Sequence, residues 1–588
     1  MYWDLNDLYE SFTCEKFKND YENLEKEISK INNFATENFS NSDDSVRKIE
    51  QYITLINDFT KYINLAFYTR LILSVDCLNE TAMKIMDNLE VQFAELERPA
   101  VMFKRFLSQV EDLESKIESS ELLKEHKFFI TNNKKESTYM LSEQEEIVIA
   151  RLQNTGSRSF TKLQQQLTST LLVEMTVDGE EKMLPLPLVR SFASSKDAEK
   201  RKAAYFAELE SYKKIDKSVA FALNSIKGEV ITLCKMRKYD NALDMTLQDS
   251  HMDRETLDAL LGAMKDYLPS FRKYLKAKAK FLGHENGLPF YDLLAPVGTL
   301  NQTFTYEEAQ EYIVKNFASF STELAELTSK AFRDNWLDVK IREGKSGGAF
   351  CSNLHNIKQS RIMSNFNDDL DSVMTLAHEL GHAYHGYCLR EETSINSKYS
   401  MPIAETASTF CETILSKAIL NDPNVDSNTK KVILENELQG ATQIIVDIYS
   451  RFLFEDAVFK KRETGSLSVE ELNSMMLEAQ LEAYGDGLDP NVMHPYMWLC
   501  KGHYYSATRN YYNFPYAFGQ LFAKGLYSIY LEKGDSFVEL YKNMLQATGK
   551  NNLKDIASLA QIDITKKEFW ASSLKLVEEE IEELLKLL

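Results

Sequence analysis

The chain is long, poor in helix-breaking residues and strongly acidic. Its 588 residues are 44% hydrophobic and include 21 Gly and 11 Pro, a composition that can bury a large core and that favours helices over turn-rich sheets. The formal net charge of −21 repels phosphate groups, which excludes nucleic acids and anionic membrane surfaces as expected partners.

The N-terminus and the cysteines indicate a cytoplasmic location. Residues 1–9 contain neither the basic segment nor the apolar stretch of a signal peptide, and no run reaches the about 18 apolar residues that span a bilayer. The seven cysteines are scattered, and none belongs to a Cys-x-x-Cys pair. Such a set is typical of reduced, packed thiols rather than of a disulfide framework.

The first 150 residues show the spacing of amphipathic helices. Leu24, Ile28 and Ile31 fall on one helical face, and later stretches repeat the pattern with polar residues between them. The region has few histidines and no catalytic motif. We therefore predict a helical scaffold or cover here.

A hairpin and a domain boundary are predicted next. Residues 171–177 and 181–186 are compatible with strands and flank Asp178-Gly179, a pair typical of tight hairpin turns. Ser194-Ser195 then precedes acidic residues and predicts the start of a long helix. We place a boundary near residue 190.

Short strands are predicted again within residues 344–366. A Pro- and Gly-containing loop at 287–296 interrupts the helices, and Gly344-Lys-Ser-Gly-Gly348 forms a flexible turn. Residues 349–353 and 360–366 follow as short strands of a small sheet. The last twelve residues, 577–588, are predicted to be the solvated end of an amphipathic helix.

A catalytic function is indicated by His378-Glu379-Leu-Gly-His382, a His-Glu-x-x-His motif within an apolar stretch with helical spacing. Spacing i, i+4 puts both imidazoles on one helix face, one turn apart, where they can share a metal. Glu379 sits beside that face and can accept a proton from a water on the metal. The alternative is an ordinary helix with core or surface histidines.

A hydrolytic zinc site needs a third protein ligand and an open position for water. His385 lies one further turn along, but three ligands stacked along a straight helix cannot converge on a tetrahedral ion. The ligand should come from a following helix, where Glu405 is the better candidate. Glu412, seven residues on, is either a carboxylate that orients a ligating histidine or part of an ordinary acidic face.

Three runs around the motif resemble the oligoendopeptidase F branch of the thimet oligopeptidase-like zinc metallopeptidases. They are Ser346-Gly-Gly-Ala-Phe-Cys351, Lys358-Gln-Ser-Arg-Ile362 and Leu376-Ala-His-Glu-Leu-Gly-His-Ala-Tyr-His385. The likeness extends to Glu405, to the loop 291–296 and to an aromatic C-terminal segment, and it covers roughly residues 200–588.

The resemblance implies a mainly α fold, an elongated multi-helix metallopeptidase split by a deep substrate channel, with a small β-sheet near the active site. Residues 1–190 would be an N-terminal helical domain that forms one wall or cover of the channel. Residues 191–588 would be the catalytic zinc metallopeptidase domain, with zinc on the channel floor.

The resemblance also implies roles for the motif residues. His378, His382 and Glu405 would hold one zinc ion per chain, and Glu379 would be the catalytic base. The prediction includes Gly347 and Gly348 among the substrate-binding residues.

Residues 502–519 are dense in tyrosine and contain one histidine. They form either a packed aromatic core or a set of hydrogen-bond donors that line a cleft. By the family resemblance, His503 and Tyr512 are catalytic residues that hold the substrate and stabilise the oxyanion, and Tyr516 and Tyr505 bind substrate. His494, next to Pro495, is predicted to be structural.

The predicted function is zinc-dependent endopeptidase activity on short unstructured oligopeptides, with no nucleic acid or membrane as partner. The strand 357–366 would offer its backbone edge to an extended peptide. Two alternatives remain open: a metallo-carboxypeptidase on a similar helical scaffold, and a non-catalytic helical peptide-binding protein. The sequence does not decide between a monomer and a homo-oligomer.

Overall fold

Helices build nearly all of the fold, which a computed structural model describes for residues 1–177, 179–299 and 303–588. Two small sheets complete it, one of two strands and one of three. The predicted fold class, mainly α with a small sheet, is confirmed. None of the helices in the described ranges combines the length and the hydropathy that a membrane span requires.

Eight helices form the N-terminal part of the chain, as the spacing of apolar residues predicted. Leu24, Ile28 and Ile31 are all buried on one side of the first helix, and they join a core cluster that also takes in Leu354 from a later strand. The helices are α1 Glu15–Asn38, α2 Ser45–Phe59, α3 Ile63–Val75, α4 Glu80–Ala94, α5 Glu97–Ser108, α6 Leu113–Glu118, α7 Glu121–Glu125 and α8 Lys127–Ser137.

The predicted hairpin forms between two helical stretches. Its strands β1 Leu172–Val177 and β2 Glu180–Pro185 pair antiparallel, while Asp178 of the predicted turn lies outside the described residues. The predicted helix cap at Ser194-Ser195 is wrong, because the Asp197 side chain accepts from the backbone N–H of Lys200 instead. The helices are α9 Glu143–Thr155, α10 Ser157–Thr170, α11 Leu186–Ser191, α12 Ala198–Tyr212, α13 Asp216–Arg237, α14 Ala242–Asp249 and α15 Arg254–Phe281.

The next segment contains the second sheet and the helix with the His-Glu-x-x-His motif. The sheet has the order β3-β5-β4, in which β3 runs parallel and β4 antiparallel to the central β5. Both predicted strands of the segment are present as β4 and β5. The elements are α16 Tyr306–Ala318, α17 Thr322–Arg333, β3 Leu337–Asp338, β4 Phe350–Leu354, β5 Gln359–Met363, α18 Leu370–Cys388, α19 Met401–Ala404 and α20 Thr406–Asn421.

The C-terminal helix packs into the protein on its apolar side. Val577, Ile581 and Leu584 are buried in this helix, which contacts α15, while Glu579, Glu582 and Glu583 are exposed. The predicted amphipathic helix is therefore present, with its polar side in solvent and its apolar side packed in the protein. The last helices are α21 Ser427–Thr442, α22 Ile448–Arg462, α23 Val469–Tyr484, α24 Met497–Cys500, α25 Phe514–Lys533, α26 Ser536–Gln546, α27 Leu553–Leu559 and α28 Lys567–Leu587.

The chain forms two compact units, each made of three separate segments. The first unit comprises residues 1–140, 302–418 and 529–561, and the second comprises residues 141–301, 419–528 and 562–588. The domain boundary near residue 190 stays a prediction. The motif helix α18, Glu405 and the three-stranded sheet all belong to the first unit.

Candidate metal centre

Helix α18 places the two motif histidines one turn apart. The helix begins after Asp369, whose carboxylate accepts from the backbone N–H of Ser372 (2.8 Å), a cap that satisfies one of the free donors of the first turn. Apolar residues such as Val373 and Leu376 are buried and fix the helix in the unit. His378 and His382 project from the remaining, partly open face.

The third candidate ligand, Glu405, lies at the break between α19 and α20. Gly381 of the motif allows these segments to come close to α18. A Cβ atom at residue 381 would lie 2.5 Å from the carbonyl oxygen of Ala407 and 2.6 Å from the Cα atom of Ser408. Only glycine fits this approach, and the approach brings Glu405 to the histidines.

Three ligand atoms converge on one point. His378 Nε2 lies 3.2 Å from His382 Nε2 and 3.3 Å from Glu405 Oε2, and His382 Nε2 lies 3.4 Å from the same oxygen. Ligands about 2.0–2.1 Å from a tetrahedral ion lie about 3.3–3.4 Å from one another. The two imidazoles and the carboxylate therefore fit the spacing and the donor types of a zinc site with one open position.

Glu412 fixes the orientation of the His378 ring through the nitrogen that faces away from the metal position. His378 Nδ1 donates a hydrogen bond to Glu412 Oε1 (3.0 Å), and this bond leaves the Nε2 lone pair directed at the metal position. Burial alone lowers the pKa of His378, but the hydrogen bonds to Glu405 and Glu412 overcome it and raise the pKa to about 10. A metal ion would replace the proton that these acidic partners otherwise hold on the ring.

Glu379 is buried beside the metal position, with 5% of its surface exposed. Burial raises the pKa of its carboxyl above the ordinary value, and the neighbouring His382 and His378 partly oppose this shift. The side chain is adjacent to the ligand face without being a member of the three-atom group. This arrangement suits a carboxylate that exchanges a proton with a water at the open position.

His385 is not part of the metal group. Its ring is fully buried, stacks on Tyr399 with 4.1 Å between ring centroids, and lies 2.8 Å from Thr548 Oγ1 through Nε2. Burial and the nearby His382 lower the pKa of His385 to about 3, so the ring is neutral. The ring packs in the core and is not a metal ligand, as the argument from helix geometry predicted.

The close approach at Gly381 gives a first prediction. Gly381→Ala is expected to destabilise the protein by roughly 1–3 kcal/mol, because the new methyl group meets backbone atoms that cannot rotate away. It should also weaken zinc binding, since the shift displaces Glu405. The thermal midpoint and the zinc retained after dialysis measure the two effects.

The matched control for that variant is Gly440→Ala in α21. A Cβ atom at residue 440 meets no other heavy atom within 4 Å, so alanine should be neutral or slightly stabilising there through its helix propensity. Unchanged stability and zinc retention in Gly381→Ala would contradict the proposed role of this contact.

The C-terminal aromatic residues divide into two groups. His503, Tyr512 and Tyr516 form a cluster in the second unit, with ring centroids 5.4, 5.5 and 6.2 Å apart. Burial and the positive charges of Arg451 and Lys501 lower the pKa of His503. The neutral ring keeps one N–H donor, next to two tyrosines that are only partly buried.

Tyr505 differs from that cluster because it belongs to a core. It is 1% exposed, and its hydroxyl donates to the carbonyl of Trp498 (3.1 Å). This geometry corresponds to core packing, one of the two readings of the segment, and it leaves no face of Tyr505 for a substrate. His494, predicted to be structural, is 1% exposed in the same unit.

The small sheet presents a different free edge from the one expected. The strand 357–366 contains β5, which is the central strand of the sheet and pairs on both sides, so the prediction that this strand offers its edge to a peptide is wrong. The edge strand beside α18 is β4. Gly347 and Gly348 lead into it, and Gly348 has a φ of +78° with open space around it.

Asn353 was missed by the sequence analysis. Its side-chain amide donates to the carbonyl of His382 (3.1 Å) and its oxygen accepts from Ser360 (2.7 Å), which ties β4 to the motif helix. Gly386 leaves room for this side chain, because a Cβ atom there would lie 2.3 Å from it, but nothing in the sequence links the two residues. Long-range contacts of this kind have no periodic trace in the sequence.

Two family models match the chain. Residues 191–576 match the model of peptidase family M3, and residues 109–171 match the model described as oligopeptidase F. Together they cover the last part of the helical region before the hairpin and the whole segment that carries the candidate ligands.

Relatives over most of the length are also found. Oligopeptidase PepF of Bacillus subtilis is 28% identical over 496 residues, which are 83% of this chain and 73% of that protein. An oligoendopeptidase F homolog of Borreliella burgdorferi is 25% identical over 92% of this chain and 90% of its own length.

Solved structures show the same fold. A Chlamydophila abortus protein superposes with a TM-score of 0.85 at 20% identity, over 100% of this chain and 98% of the other. Oligoendopeptidase F of Enterococcus faecium superposes with a TM-score of 0.69 at 20% identity, over 97% and 99% of the two chains.

Proposed function

The chain belongs to peptidase family M3, and on that premise we propose that it is a zinc-dependent endopeptidase that hydrolyses internal bonds of short, unstructured peptides. The resemblance to oligoendopeptidase F is confirmed, and the chain is a peptidase. The observation that carries the finer proposal is the three-atom group of His378, His382 and Glu405 at zinc-ligand spacing.

These three residues would hold one zinc ion per chain, with Glu412 fixing the ring of His378 through Nδ1. When bound, zinc supplies Lewis-acid chemistry, which makes water a nucleophile near neutral pH and polarises a carbonyl oxygen. Two neutral imidazoles and one carboxylate are a donor set that zinc enzymes use.

Glu379 acts as the general base and then as the general acid. It takes the proton of the attacking water and delivers it to the nitrogen of the leaving amine. Its position one residue after His378 supports this role, because the carboxylate is beside the ligand atoms and is shielded from bulk water.

His503 and Tyr512 would donate hydrogen bonds to the oxyanion that develops on the substrate, and Tyr516 would bind the peptide. Their mutual contacts support a joint role. In comparable sites one such donor is worth about 3–4 kcal/mol of transition-state stabilisation.

An extended peptide would add to the sheet along β4. Main-chain hydrogen bonds to an edge strand bind many sequences alike, and the absence of side chains at Gly347 and Gly348 leaves room for a peptide at the start of that strand. This replaces β5 as the proposed peptide-binding edge.

Two further predictions, the division into domains and the cellular location, belong to this proposal. Residues 1–190 would be a helical domain that covers the site, and residues 191–588 the catalytic domain. The start of the M3 match at residue 191 supports that division. The seven cysteines are all free thiols, which supports a cytoplasmic location.

The test uses an internally quenched peptide that is blocked at both ends. We expect cleavage at an internal bond, loss of cleavage in a chelator, and recovery when about one equivalent of zinc is restored. A carboxypeptidase would leave the blocked peptide intact, and a non-catalytic binding protein would bind it without turnover. A folded protein of ordinary stability serves as the control and should remain uncleaved, and its rapid proteolysis would contradict the preference for unstructured peptides.

A further inference from the structure

A cavity of about 510 Å³ lies inside the first unit, next to the candidate metal centre. One wall is the C-terminal half of α18, and another is the turn between β4 and β5 together with the end of β4. The segment between α18 and α19, including Lys398 and Tyr399, closes a third side.

The cavity follows the face of α18 that carries Glu379. Ala383 and Gly386 line it, and they stand four and seven residues after Glu379, while Arg390 lines it from the turn just after the end of α18. This spacing keeps Glu379, Ala383 and Gly386 on one side of the helix. A ligand in the cavity would therefore lie along the same helix face as the general base.

The wall nearest the metal centre is held in place by hydrogen bonds and packing. Asn353 lines the cavity and donates to the carbonyl of His382 (3.1 Å). Gly386 leaves the space that the Asn353 side chain occupies, and Tyr399 lines the cavity while its ring stacks on His385. Asn353 and Tyr399 are thus held in place in the cavity wall.

The lining is basic although the chain as a whole is acidic. It contains the cations Lys358, Arg390 and Lys398 and no carboxylate, in a chain with a net charge of −21; His355 also lines it, but burial lowers the pKa of this ring and favours its neutral form. A concentration of one charge sign in a concave site attracts ligands of the opposite sign.

These basic side chains differ in how far they are neutralised. Lys358 forms an ion pair with Glu391 (2.6 Å). The Arg390 guanidinium lies over the ring of Tyr387, donates to the carbonyl of that residue (2.6 Å), and lies 3.7 Å from the carboxylate of Glu391 and 3.9 Å from that of Glu323. Within the described part of the chain, no carboxylate lies at ion-pair distance from Lys398. Lys398 can therefore pair with a further anion, and Arg390 can still donate a hydrogen bond to one, because both carboxylates near its guanidinium lie beyond hydrogen-bond distance.

We propose that this cavity is a subsite that takes a carboxylate of the bound peptide, held by Lys398 and Arg390. The inference rests on the proposed peptidase function. At about 1.5 Å per residue along α18, Ala383 and the last residue of the helix, Cys388, lie about 6 and 14 Å beyond Glu379, and Arg390 follows two residues later. An extended peptide advances about 3.3 Å per residue, so the acidic group lies about two to five residues from the cleaved bond.

The experiment compares blocked, internally quenched peptides of one length. A single Glu is moved through successive positions on both sides of the cleaved bond, and each peptide has a partner with Gln at that position. For one position within about two to five residues of the bond, we expect kcat/KM of the wild-type protein to favour Glu over Gln by about 10-fold. The preference should shrink as salt is added, because screening weakens partly exposed charge pairs.

Variants then assign the preference to the cavity. Lys398→Gln should reduce the Glu-to-Gln ratio by about three-fold or more, and combining it with Arg390→Gln should bring the ratio near one, with hydrolysis of the Gln peptide retained. Lys398 is an exposed side chain, so its variant tests the proposal even if Arg390→Gln disturbs packing on Tyr387. Lys84→Gln, an equal charge change on exposed α4, is the control and should leave the ratio unchanged.

A second arm separates side-chain from terminal carboxylates. Peptides with a free C-terminus are compared with their amides at the same distance from the bond, and a preference for the free acid that depends on Lys398 would identify the terminal carboxylate as the group bound. Equal kcat/KM for Glu and Gln at every position and for acid and amide, or a preference that survives in the double variant, would overturn the subsite.

Peptide affinity, measured by fluorescence anisotropy on the same series, separates the two proposals. Selective binding of acidic peptides without hydrolysis would keep the subsite and refute the proposed enzyme function. Hydrolysis with no charge preference in rate or affinity would keep the function and refute the subsite.

Discussion

Glu379→Gln is expected to reduce peptide turnover by at least about 10²–10⁴-fold while zinc content stays near that of the wild type. The amide preserves the shape of the side chain but cannot accept the proton of the attacking water. Glu379 is outside the three-atom ligand group, so the substitution removes no metal ligand. Elemental analysis and steady-state hydrolysis of the blocked peptide measure the two quantities on one preparation.

Peptide affinity provides the control for that variant. Affinity should persist or improve slightly, because a negative charge beside the bound carbonyl is lost. A protein that had merely misfolded would lose affinity together with turnover. Full activity in Glu379→Gln would show that the proposed hydrolytic mechanism is wrong, whatever the fold.

Glu405→Gln is expected to lose both zinc and activity. The neutral amide replaces an anionic ligand whose oxygen lies 3.3 Å from His378 Nε2 and 3.4 Å from His382 Nε2, and amide oxygens are poor zinc ligands. Dialysis against buffer without metal, followed by elemental analysis, should find little zinc in the variant and about one ion per chain in the wild type.

Glu412→Gln is the matched comparison for the ligand assignment. Glu412 contacts His378 through Nδ1 rather than the metal position, so its loss should weaken zinc affinity by about 10–100-fold without abolishing binding. Stoichiometric zinc in Glu405→Gln, or a larger loss in Glu412→Gln than in Glu405→Gln, would contradict the proposed ligand set.

The helical elements and the motif were accessible from the sequence because their signals are local. Leu24, Ile28 and Ile31 repeat at helical spacing and are buried together. His378 and His382 are one turn apart on any α-helix, so their convergence needs no knowledge of the rest of the chain. Glu405 required one further step, the demand of zinc for a third ligand.

Residue type alone did not show which side chains would be buried or what they would contact. Tyr505 and Tyr512 lie in the same tyrosine-rich segment, yet Tyr505 is buried with its hydroxyl on Trp498 and Tyr512 contacts His503. The helix end at 577–588 has an amphipathic pattern whose apolar side found α15 some 300 residues earlier in the chain. Periodicity gives the face of a helix that is buried but does not name its partner.

Composition and i, i+4 spacing were enough to predict a mainly helical, acidic protein with a His-Glu-x-x-His motif, because both can be read without knowing which elements pack together. Only the packing of distant segments determines which strand of the sheet is at the edge, that Gly381 lets Glu405 approach the histidines, and that basic side chains from the β4–β5 turn, the end of α18 and the segment before α19 line one cavity. Those outcomes depend on which surfaces pack together over long sequence separations, where backbone approach and burial act between elements that no local pattern links.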